Sequence, residues 1–374
     1  MTAKKIMLVF GTRPEAIKMA PLVAQLKDNR SFDLKVCVTA QHREMLDMVL
    51  QLFSIQADYD LNLMKARQTI TGLTTAVLQG IEPVLEAEKP DLVLVHGDTT
   101  TTFAAALAAF YQQLPVGHVE AGLRSGNIYS PYPEEMNRTL VSSIARLHFA
   151  PTVGNRDNLI RSGVDPSMIS VTGNTVIDAL HSVVRDDYVF NHPLLDDLDH
   201  QSSEIILLTA HRRENWGSRM HGLFLAIRRL IDDHPRTVLV FPVHRNPVVR
   251  EEAEAVLGRH PRIHLIEPLD YQPFANLIAR SHLVLTDSGG IQEEAPALGK
   301  PVLVLRTETE RPEAVAAGTV LMAGVDPGRV YDLAALLLND RGEYNKMAHA
   351  VNPYGDGTAA QQIVGVMEKH FALA

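Results

Sequence analysis

The sequence predicts an α/β chain of two Rossmann-like, doubly wound domains that face each other across a cleft. Short apolar segments bounded by turn residues alternate with amphipathic segments along most of the chain. Most apolar segments are continuous rather than alternating, which is typical of parallel strands buried on both faces. Strands that alternate with helices indicate right-handed βαβ units. A length of 374 residues suits two such domains.

The predicted elements form two series, separated by one irregular stretch. Strands are predicted at residues 5–10, 34–39, 91–96, 116–120 and 147–150, and then at 205–209, 238–243, 263–266, 283–286 and 302–305. Helices are predicted at 16–27, 44–52, 70–88, 101–111, 220–233 and 274–279. Residues 186–203 contain five Asp and no clear period, so the domain boundary is expected near or just before them. We predict a first domain at 1–170 and a second at 171–357, with a helix at about 358–374 packing back on the first.

Composition and charge exclude several classes of protein. The net charge of −9 disfavours general nucleic-acid binding, which relies on basic surface. One cysteine, Cys37, cannot form an internal disulfide or a cysteine-based zinc site. No apolar stretch reaches the roughly 18–20 residues of a membrane span, and the first apolar run is too short for a signal peptide. We expect a cytoplasmic protein that binds neither nucleic acid nor membrane.

Several common catalytic motifs are missing from the sequence. No strand is followed by G-x-G-x-x-G, so a dinucleotide cofactor is not expected. The sequence also contains no P-loop, no H-E-x-x-H and no G-x-S-x-G. We therefore predict no cofactor and no metal, and these absences weaken dehydrogenase, ATPase, zinc hydrolase and serine hydrolase interpretations together.

The turn after the first predicted strand is a candidate anion site. Gly11 permits a tight turn, and Pro14 suits the first position of a helix. Arg13 and Lys18 flank that helix start, whose free N–H groups favour a phosphate. The alternative is a plain strand-turn-helix junction with solvated charges.

Three carboxylates follow predicted elements of the first domain. Asp98 follows one strand, Glu120 closes the next, and Glu134 begins a helix. If the two strands are neighbours, Asp98 and Glu120 emerge on the same rim of the sheet. Converging carboxylates push their pKa values apart, which suits acid/base work. The alternatives are a helix-dipole contact for Glu134 and an Asx-turn or N-cap for Asp98.

The second domain offers a glycine-rich turn and basic groups at strand ends. Ser288, Gly289 and Gly290 let backbone N–H groups approach an anion, and a carboxylate at Glu294 suits the hydroxyls of a ribose. The alternative is a helix capped by Ser288 or Asp287. Further candidates lie beyond other strands: His211, Arg212, His244 and Arg311. A basic turn paired with Glu214 is the alternative for the segment that begins at His211.

Together these segments resemble the non-hydrolysing UDP-N-acetylglucosamine 2-epimerases of bacteria. The matching stretches are residues 10–19 (FGTRPEAIKM), 39–43 (TAQHR), 95–99 (VHGDT), 118–124 (HVEAGLR), 133–138 (PEEMNR), 173–178 (GNTVID), 211–215 (HRREN), 287–294 (DSGGIQEE), 310–313 (ERPE) and 352–357 (NPYGDG). The resemblance covers nearly the whole chain. It implies a GT-B-like fold, a cytoplasmic homodimer, no redox cofactor, and interconversion of UDP-GlcNAc and UDP-ManNAc for surface polysaccharide.

The resemblance also implies roles for individual residues. UDP would be held by Arg13, Lys18, His211, Ser288, Gly289, Gly290, Glu294 and Arg311, and its uracil by the loop from Leu269 to Phe274, largely through backbone. The acid/base groups would be Asp98, Glu120 and Glu134, with Asp98 the first choice, and His211 is grouped with the catalytic residues. A regulatory UDP-GlcNAc site, found in related Gram-positive enzymes, would use Gln41, Arg67, Gln68, Glu134, Arg212 and His244. The sequence departs from the pattern of this regulatory site at one position, because Glu44 stands where some relatives have Gln.

The chemistry that this family uses is elimination and re-addition. UDP leaves C1 of the sugar while C2 loses a proton, giving 2-acetamidoglucal, and UDP returns with protonation on the opposite face. Three other functions remain open: a hydrolysing epimerase that releases ManNAc and UDP, a GT-B glycosyltransferase, and a non-catalytic binder of UDP-sugars.

Overall fold

The computed structural model describes residues 3–40, 43–63, 68–198 and 202–373. The chain forms two compact units. Unit 1 comprises Met1–His181 and Tyr354–Ala374, and unit 2 comprises Ser182–Pro353. The chain therefore passes from unit 1 to unit 2 and back again.

Unit 1 has a parallel sheet with the strand order β3-β2-β1-β4-β5-β6-β7 among its described residues. The strands are β1 (Lys4–Phe10), β2 (Phe32–Val38), β3 (Tyr59–Asp60), β4 (Leu92–His96), β5 (Val116–Val119), β6 (Leu147–Ala150) and β7 (Ile169–Val171). The helices are α1 (Arg13–Asp28), α2 (Arg43–Leu52), α3 (Ile70–Glu88), α4 (Thr100–Tyr111), α5 (Glu134–Ile144), α6 (Val153–Arg161) and α7 (Thr175–Val183), and a short 3-10 helix spans Pro166–Met168.

Unit 2 has a second parallel sheet, with the order β10-β9-β8-β11-β12-β13. Its strands are β8 (Glu204–Thr209), β9 (Thr237–Pro242), β10 (Ile263–Ile266), β11 (Leu283–Thr286), β12 (Val302–Val304) and β13 (Val320–Met322). Its helices are α8 (Pro193–Asp197), α9 (Ser218–Asp233), α10 (Pro247–Leu257), α11 (Tyr271–Arg280), α12 (Ile291–Ala297), α13 (Pro312–Ala316), α14 (Pro327–Asn339) and α15 (Arg341–Ala348), with a 3-10 helix at Arg213–Asn215. The last helix, α16 (Ala359–His370), returns to unit 1.

Continuous burial of the central strands explains why their apolar runs do not alternate. Residues 6–10 of β1 are fully buried, and so are residues 205–208 of β8. Both strands pair in parallel with neighbours on either side. The prediction of two α/β units with parallel sheets is confirmed.

The strand orders identify where each sheet changes direction. In unit 1 the order runs outward from β1 to β2 on one side and from β1 to β4 on the other. In unit 2 the corresponding neighbours of β8 are β9 and β11. Ligands of open α/β sheets bind beyond the carboxyl ends of strands at such switch points. The loops after β1 and β4, and those after β8 and β11, are therefore where a site is expected.

The division between the units falls after His181 rather than after residue 170. Hydrogen bonds explain the difference, since the carboxylate of Asp178 in α7 accepts from the backbone N–H groups of Ala359 (3.2 Å) and Ala360 (2.8 Å). Farther along α16, the Oε1 of Glu368 accepts a hydrogen bond of 2.8 Å from Asn29. Both α7 and α16 are thus fixed to unit 1.

The helices in the described part of the chain are each too short or too polar to cross a lipid bilayer.

Candidate functional site

In unit 1, chemically useful side chains gather at the carboxyl ends of β1, β4 and β5. Asp98 follows β4, and Glu120 follows β5. Because these two strands pair side by side, both carboxylates emerge on the same rim of the sheet. That expectation from the sequence is confirmed.

Glu120 is a buried carboxylate held by a lysine and a histidine. Its Oε2 lies 2.5 Å from Nζ of Lys18 and 2.8 Å from Nε2 of His96. Burial alone would raise the pKa of Glu120, but Lys18 and His96 hold it well below its usual range. The residue also adopts a left-handed backbone with φ of 61°, which is uncommon for Glu and concentrates at functional sites. Glu120 is therefore an ionised group in a fixed position.

Asp98 has the opposite electrostatic character. Burial raises its pKa, the nearby charge of Glu120 raises it further, and Arg138 and Lys18 oppose both effects. Nη2 of Arg138 lies 2.6 Å from Oδ2 of Asp98, and Nδ2 of Asn137 donates to the backbone carbonyl of Asp98 at 2.9 Å. The two carboxylates thus have pKa values displaced in opposite directions, as the sequence predicts.

Glu15 holds the loops after β1 and β4 together. Its Oε2 accepts hydrogen bonds from the backbone N–H groups of Gly11 (3.0 Å) and Thr12 (2.7 Å). Its Oε1 accepts from the hydroxyls of Thr99 (2.6 Å) and Thr102 (3.1 Å). Glu15 was not among the predicted site residues, although Thr12 and Glu15 have the spacing of a capping box.

A cavity of about 570 Å³ opens beside these loops. Its walls come from several predicted site residues and their neighbours: Thr12, Arg13, Pro14, Met45, Gln68, Thr69, Ile70, Leu73, Asp98, Thr99, Thr100, Pro133, Glu134 and Asn137. The structure therefore brings Arg13, Asp98 and Glu134 to one cavity, with Gln68 at the same place. Two residues of the expected regulatory set, Gln41 and Arg67, lie outside the described residues.

Adjacent glutamates at the start of α5 differ in their surroundings. Glu134 lines the cavity, whereas Glu135 is buried and turned toward the preceding loop. The carboxylate of Glu135 accepts hydrogen bonds from the backbone N–H groups of Ser125 (3.0 Å) and Gly126 (3.1 Å). Glu135 thereby anchors the loop after β5 to the helix that carries Glu134.

Gly122 in the same loop provides a test of how tightly the site is packed. Its φ is 94°, and a Cβ there would lie 2.3 Å from the backbone oxygen of Asn155. Gly122→Ala should lower the free energy of unfolding by about 3 kcal/mol, because it combines backbone strain with overpacking. Gly163→Ala is the matched control, since Gly163 has φ of 88° but open space around a Cβ. We expect it to cost only about 1 kcal/mol; equal losses in urea unfolding would show that packing around Gly122 is loose.

In unit 2, the segments after β8 and β11 lie next to each other. His211 follows β8, and Asp287 follows β11. Asp287 is completely buried, and its carboxylate accepts hydrogen bonds from the backbone N–H groups of His211 and Arg212, both at 2.8 Å. The His211 segment is therefore tied to the segment that precedes the glycine pair.

The glycine pair is not explained by helix capping. The N-cap of α12 is Gly290, and no side chain makes a capping hydrogen bond there, so the alternative with Ser288 or Asp287 as N-cap is wrong. A Cβ at Gly289 would meet no atom within 4 Å, and its φ is not positive. Neither strain nor packing among the described residues requires glycine here. The open space beside Gly289 would allow a ligand to approach the backbone closely.

The remaining nucleotide candidates of unit 2 lie close to this turn in sequence or in space. Glu294 lies in the first turn of α12. The guanidinium of Arg311 pairs with the buried carboxylate of Glu293, which precedes Glu294. This ion pair fixes Arg311 beside α12.

Two histidines of the predicted sets are neighbours. The ring centroids of His211 and His244 are 5.8 Å apart. Burial lowers the pKa of His211, whereas the nearby Asp287 raises it. The net effect is a pKa below that of an ordinary His, so the environment favours the neutral ring.

The segment expected to hold uracil is only partly a loop. Leu269 lies in the connection after β10, but α11 already begins at Tyr271, so Phe274 belongs to a helix. The prediction that this helix starts at Phe274 was wrong. Proline at residue 273 loses no intrahelical hydrogen bond in the first turn, so it does not delay the start of the helix.

No three His, Cys, Asp or Glu side chains in residues 3–40, 43–63, 68–198 and 202–373 are grouped so that they could hold a metal ion.

Comparison with known proteins gives a consistent result. A family model described as UDP-N-acetylglucosamine 2-epimerase matches residues 24–368. The UDP-N-acetylglucosamine 2-epimerase of Bacillus subtilis is 56% identical over 371 residues, which cover 99% of this chain and 97% of that protein. A putative epimerase of this kind from Listeria monocytogenes, solved at 2.2 Å, has a TM-score of 0.94 and 52% identity, covering 100% of this chain and 98% of the other.

A further solved structure was determined with ligand. The UDP-GlcNAc 2-epimerase of Neisseria meningitidis, bound to UDP-GlcNAc, has a TM-score of 0.87 and 50% identity, covering 98% of this chain and all of that one. These similarities confirm the GT-B-like fold class that the sequence motifs imply.

Proposed function

Because the chain belongs to the UDP-N-acetylglucosamine 2-epimerase family, we propose that it interconverts UDP-GlcNAc and UDP-ManNAc without hydrolysis. The C2 hydrogen of the sugar is not next to a carbonyl, so direct deprotonation is chemically unfavourable. Elimination avoids this difficulty, because the C1–oxygen bond to UDP breaks as C2 loses its proton in an anti geometry. The product is 2-acetamidoglucal, to which UDP adds back while C2 is protonated on the opposite face.

The observation that carries this proposal is the opposite displacement of two neighbouring pKa values. Asp98 holds a proton more readily than an ordinary Asp, and Glu120 holds one less readily than an ordinary Glu. A reaction that removes and returns a proton needs groups in different protonation states. We assign acid/base work to Asp98, Glu120 and Glu134, with Asp98 the first choice. The ionised Glu120 also suits stabilisation of positive charge at C1 as UDP departs.

Unit 2 supplies the groups that suit the nucleotide. The open backbone at Gly289, with Ser288 and Gly290 on either side, suits a diphosphate. We assign His211 and Arg311 to the leaving group, which they would stabilise as charge develops on it; Arg311 would do so while paired with Glu293. Glu294 suits the ribose hydroxyls.

Several finer points belong to the same proposal. By resemblance, the enzyme acts as a cytoplasmic homodimer and supplies ManNAc units for surface polysaccharide. Arg13 and Lys18 are also proposed to contact UDP, and Leu269 with Phe274 its uracil. A regulatory UDP-GlcNAc site that includes Gln68, Arg212 and His244 stays a prediction.

The test is incubation of the protein with UDP-GlcNAc alone in D2O, followed by NMR. We expect UDP-ManNAc that carries deuterium at C2, because the proton is lost to and regained from groups that exchange with solvent. Inverted product with its original hydrogen at C2 would contradict elimination. Free ManNAc with UDP would indicate a hydrolysing enzyme, and unchanged UDP-GlcNAc would indicate a transferase or a binder.

A further inference from the structure

We propose that Asp287 is a positioning residue for His211. Asp287 fixes the imidazole so that its Nδ1 is free for a ligand, and it enables His211 to bind the diphosphate as an imidazolium. The inference rests on the proposed function and concerns its nucleotide-binding half. Nothing in the sequence motifs assigned a role in the reaction to Asp287.

The first support is the unequal bonding of the two carboxylate oxygens of Asp287. Oδ2 accepts from two backbone N–H groups, those of His211 and Arg212. Oδ1 accepts no hydrogen bond from the described residues and lies 3.6 Å from Nε2 of His211. A buried oxygen without a donor is unfavourable, and a small approach of a protonated His211 would provide one. Nε2 therefore faces Asp287, which leaves Nδ1 for the ligand.

The second support is that two further contacts hold the His211 segment. Nδ2 of Asn215 donates to the carbonyl of Leu305 at 3.0 Å, and Nε of Arg306 lies 2.8 Å from Oε1 of Glu214. Leu305 and Arg306 follow β12, the neighbour of β11. The segment is thus tied to the ends of two adjacent strands, so the His211 backbone is held and its ring has a defined partner.

The third support is the charge around the imidazole. Burial lowers the pKa of His211, and so do Arg212, His244 and Arg306, while Asp287 raises it. Without ligand, the ring is therefore biased toward its neutral form. A diphosphate adds negative charge beside the ring, which favours protonation. Binding is then accompanied by proton uptake, and affinity rises as the pH falls between the pKa values of the free and bound forms.

The experiment measures UDP binding by calorimetry near pH 7 in buffers of different ionisation enthalpy. Wild-type protein should take up a substantial fraction of one proton per UDP. Asp287→Asn keeps an oxygen for the two backbone N–H groups but loses the charge. We expect it to lose the uptake, to bind about tenfold more weakly, and to show a flatter dependence of affinity on pH.

Asp340→Asn is the matched control. Oδ1 of Asp340 also accepts from two backbone N–H groups, those of Gly342 (2.8 Å) and Glu343 (3.1 Å), but at the start of α15. This variant should keep both affinity and proton uptake. If Asp340→Asn lowered UDP affinity and proton uptake as much as Asp287→Asn, the inference would be overturned. The effect would then follow from the loss of any carboxylate that accepts backbone hydrogen bonds.

A double-mutant cycle separates positioning from general damage. With His211→Gln in place, Asp287→Asn should cause no further loss of UDP affinity, because the group it positions is gone. An additive loss would overturn the inference. If Asp287→Asn fails to fold, ¹⁵N NMR of His211 in the wild-type protein decides: an imidazolium with UDP bound supports the inference, and a neutral ring overturns it.

The proposed function and this inference fail in different ways. Wild-type protein that does not bind UDP overturns both. Wild-type protein that binds UDP without taking up protons, or an Asp287→Asn variant that keeps the uptake, overturns the inference alone.

Discussion

Asp98→Asn should lower the kcat for UDP-GlcNAc epimerisation about a thousandfold while UDP binding stays within about twofold of wild type. The amide is nearly the same size as the carboxyl, so the loop after β4 keeps its shape, but it can neither take nor return a proton. General acid/base groups contribute about 10²- to 10⁴-fold to rates. The measurement is initial rates of UDP-ManNAc formation together with calorimetry of UDP.

The control for this variant is Asp91→Asn at the other end of the same strand. Asp91 precedes β4 and pairs with Nζ of Lys4 at 3.0 Å, so it too is a partly buried Asp beside a cation. We expect its kcat to stay within about twofold of wild type, because Asp91 lies at the amino end of β4 and the candidate site lies at the carboxyl end. If the kcat of Asp98→Asn also stays within about threefold of wild type, Asp98 is not an acid/base group of the reaction.

Glu15→Ala should lower the free energy of unfolding by about 3 kcal/mol, because it leaves several buried donors without an acceptor at once. Glu15 is 2% exposed, and its carboxylate accepts from the backbone at Gly11 and Thr12 and from the hydroxyls of Thr99 and Thr102. The loops after β1 and β4 would lose their common bridge. Urea unfolding monitored by circular dichroism measures the effect.

The comparison for Glu15 is Glu86→Ala on the exposed face of α3. Substitutions at such positions change stability by about 0.5 kcal/mol or less. Glu15→Ala that unfolds at the same urea concentration as Glu86→Ala would show that water replaces the lost carboxylate. In that case, the bridge between the two loops would have no importance for stability.

Patterns in the sequence predicted the central strands and one edge strand, β10, but missed the edge strands β3, β7 and β13. The runs that became β1, β4 and β8 are apolar because both faces of these strands are buried, so five or six adjacent residues carry the signal. β3 has two residues, and β7 and β13 have three each. Segments that short have no measurable period, and their pairing depends on the strand already present beside them.

The candidate site shows a similar division between local and distant information. Asp98, Glu120 and His211 could be chosen because each follows a strand whose carboxyl end is expected to face a ligand. The pairing of Glu120 with Lys18 could not be predicted, because Lys18 lies 102 residues away and was expected only as a contact of phosphate. Arg138, which pairs with Asp98, likewise appears in the sequence only as part of a motif.

The surroundings of Glu15 are only partly encoded in the local sequence. Its spacing from Thr12 matches a capping box, which predicts a bond back to the helix start. The same carboxylate also receives two threonine hydroxyls from the segment after β4. The hydrogen bonds from these threonines require that β1 pairs with β4, and the local sequence around Glu15 does not predict that pairing.

The return of α16 to unit 1 has a consequence for how the chain acquires its structure during synthesis. A ribosome delivers Ser182–Pro353 in full before it delivers the residues of α16. Unit 2 can therefore fold while unit 1 still lacks its last helix. Until then, the carboxylate of Asp178 lacks the hydrogen bonds that it accepts from the backbone N–H groups of Ala359 and Ala360. Unit 1, whose first residues are translated earliest, can thus complete its structure only after all of unit 2 has been synthesised.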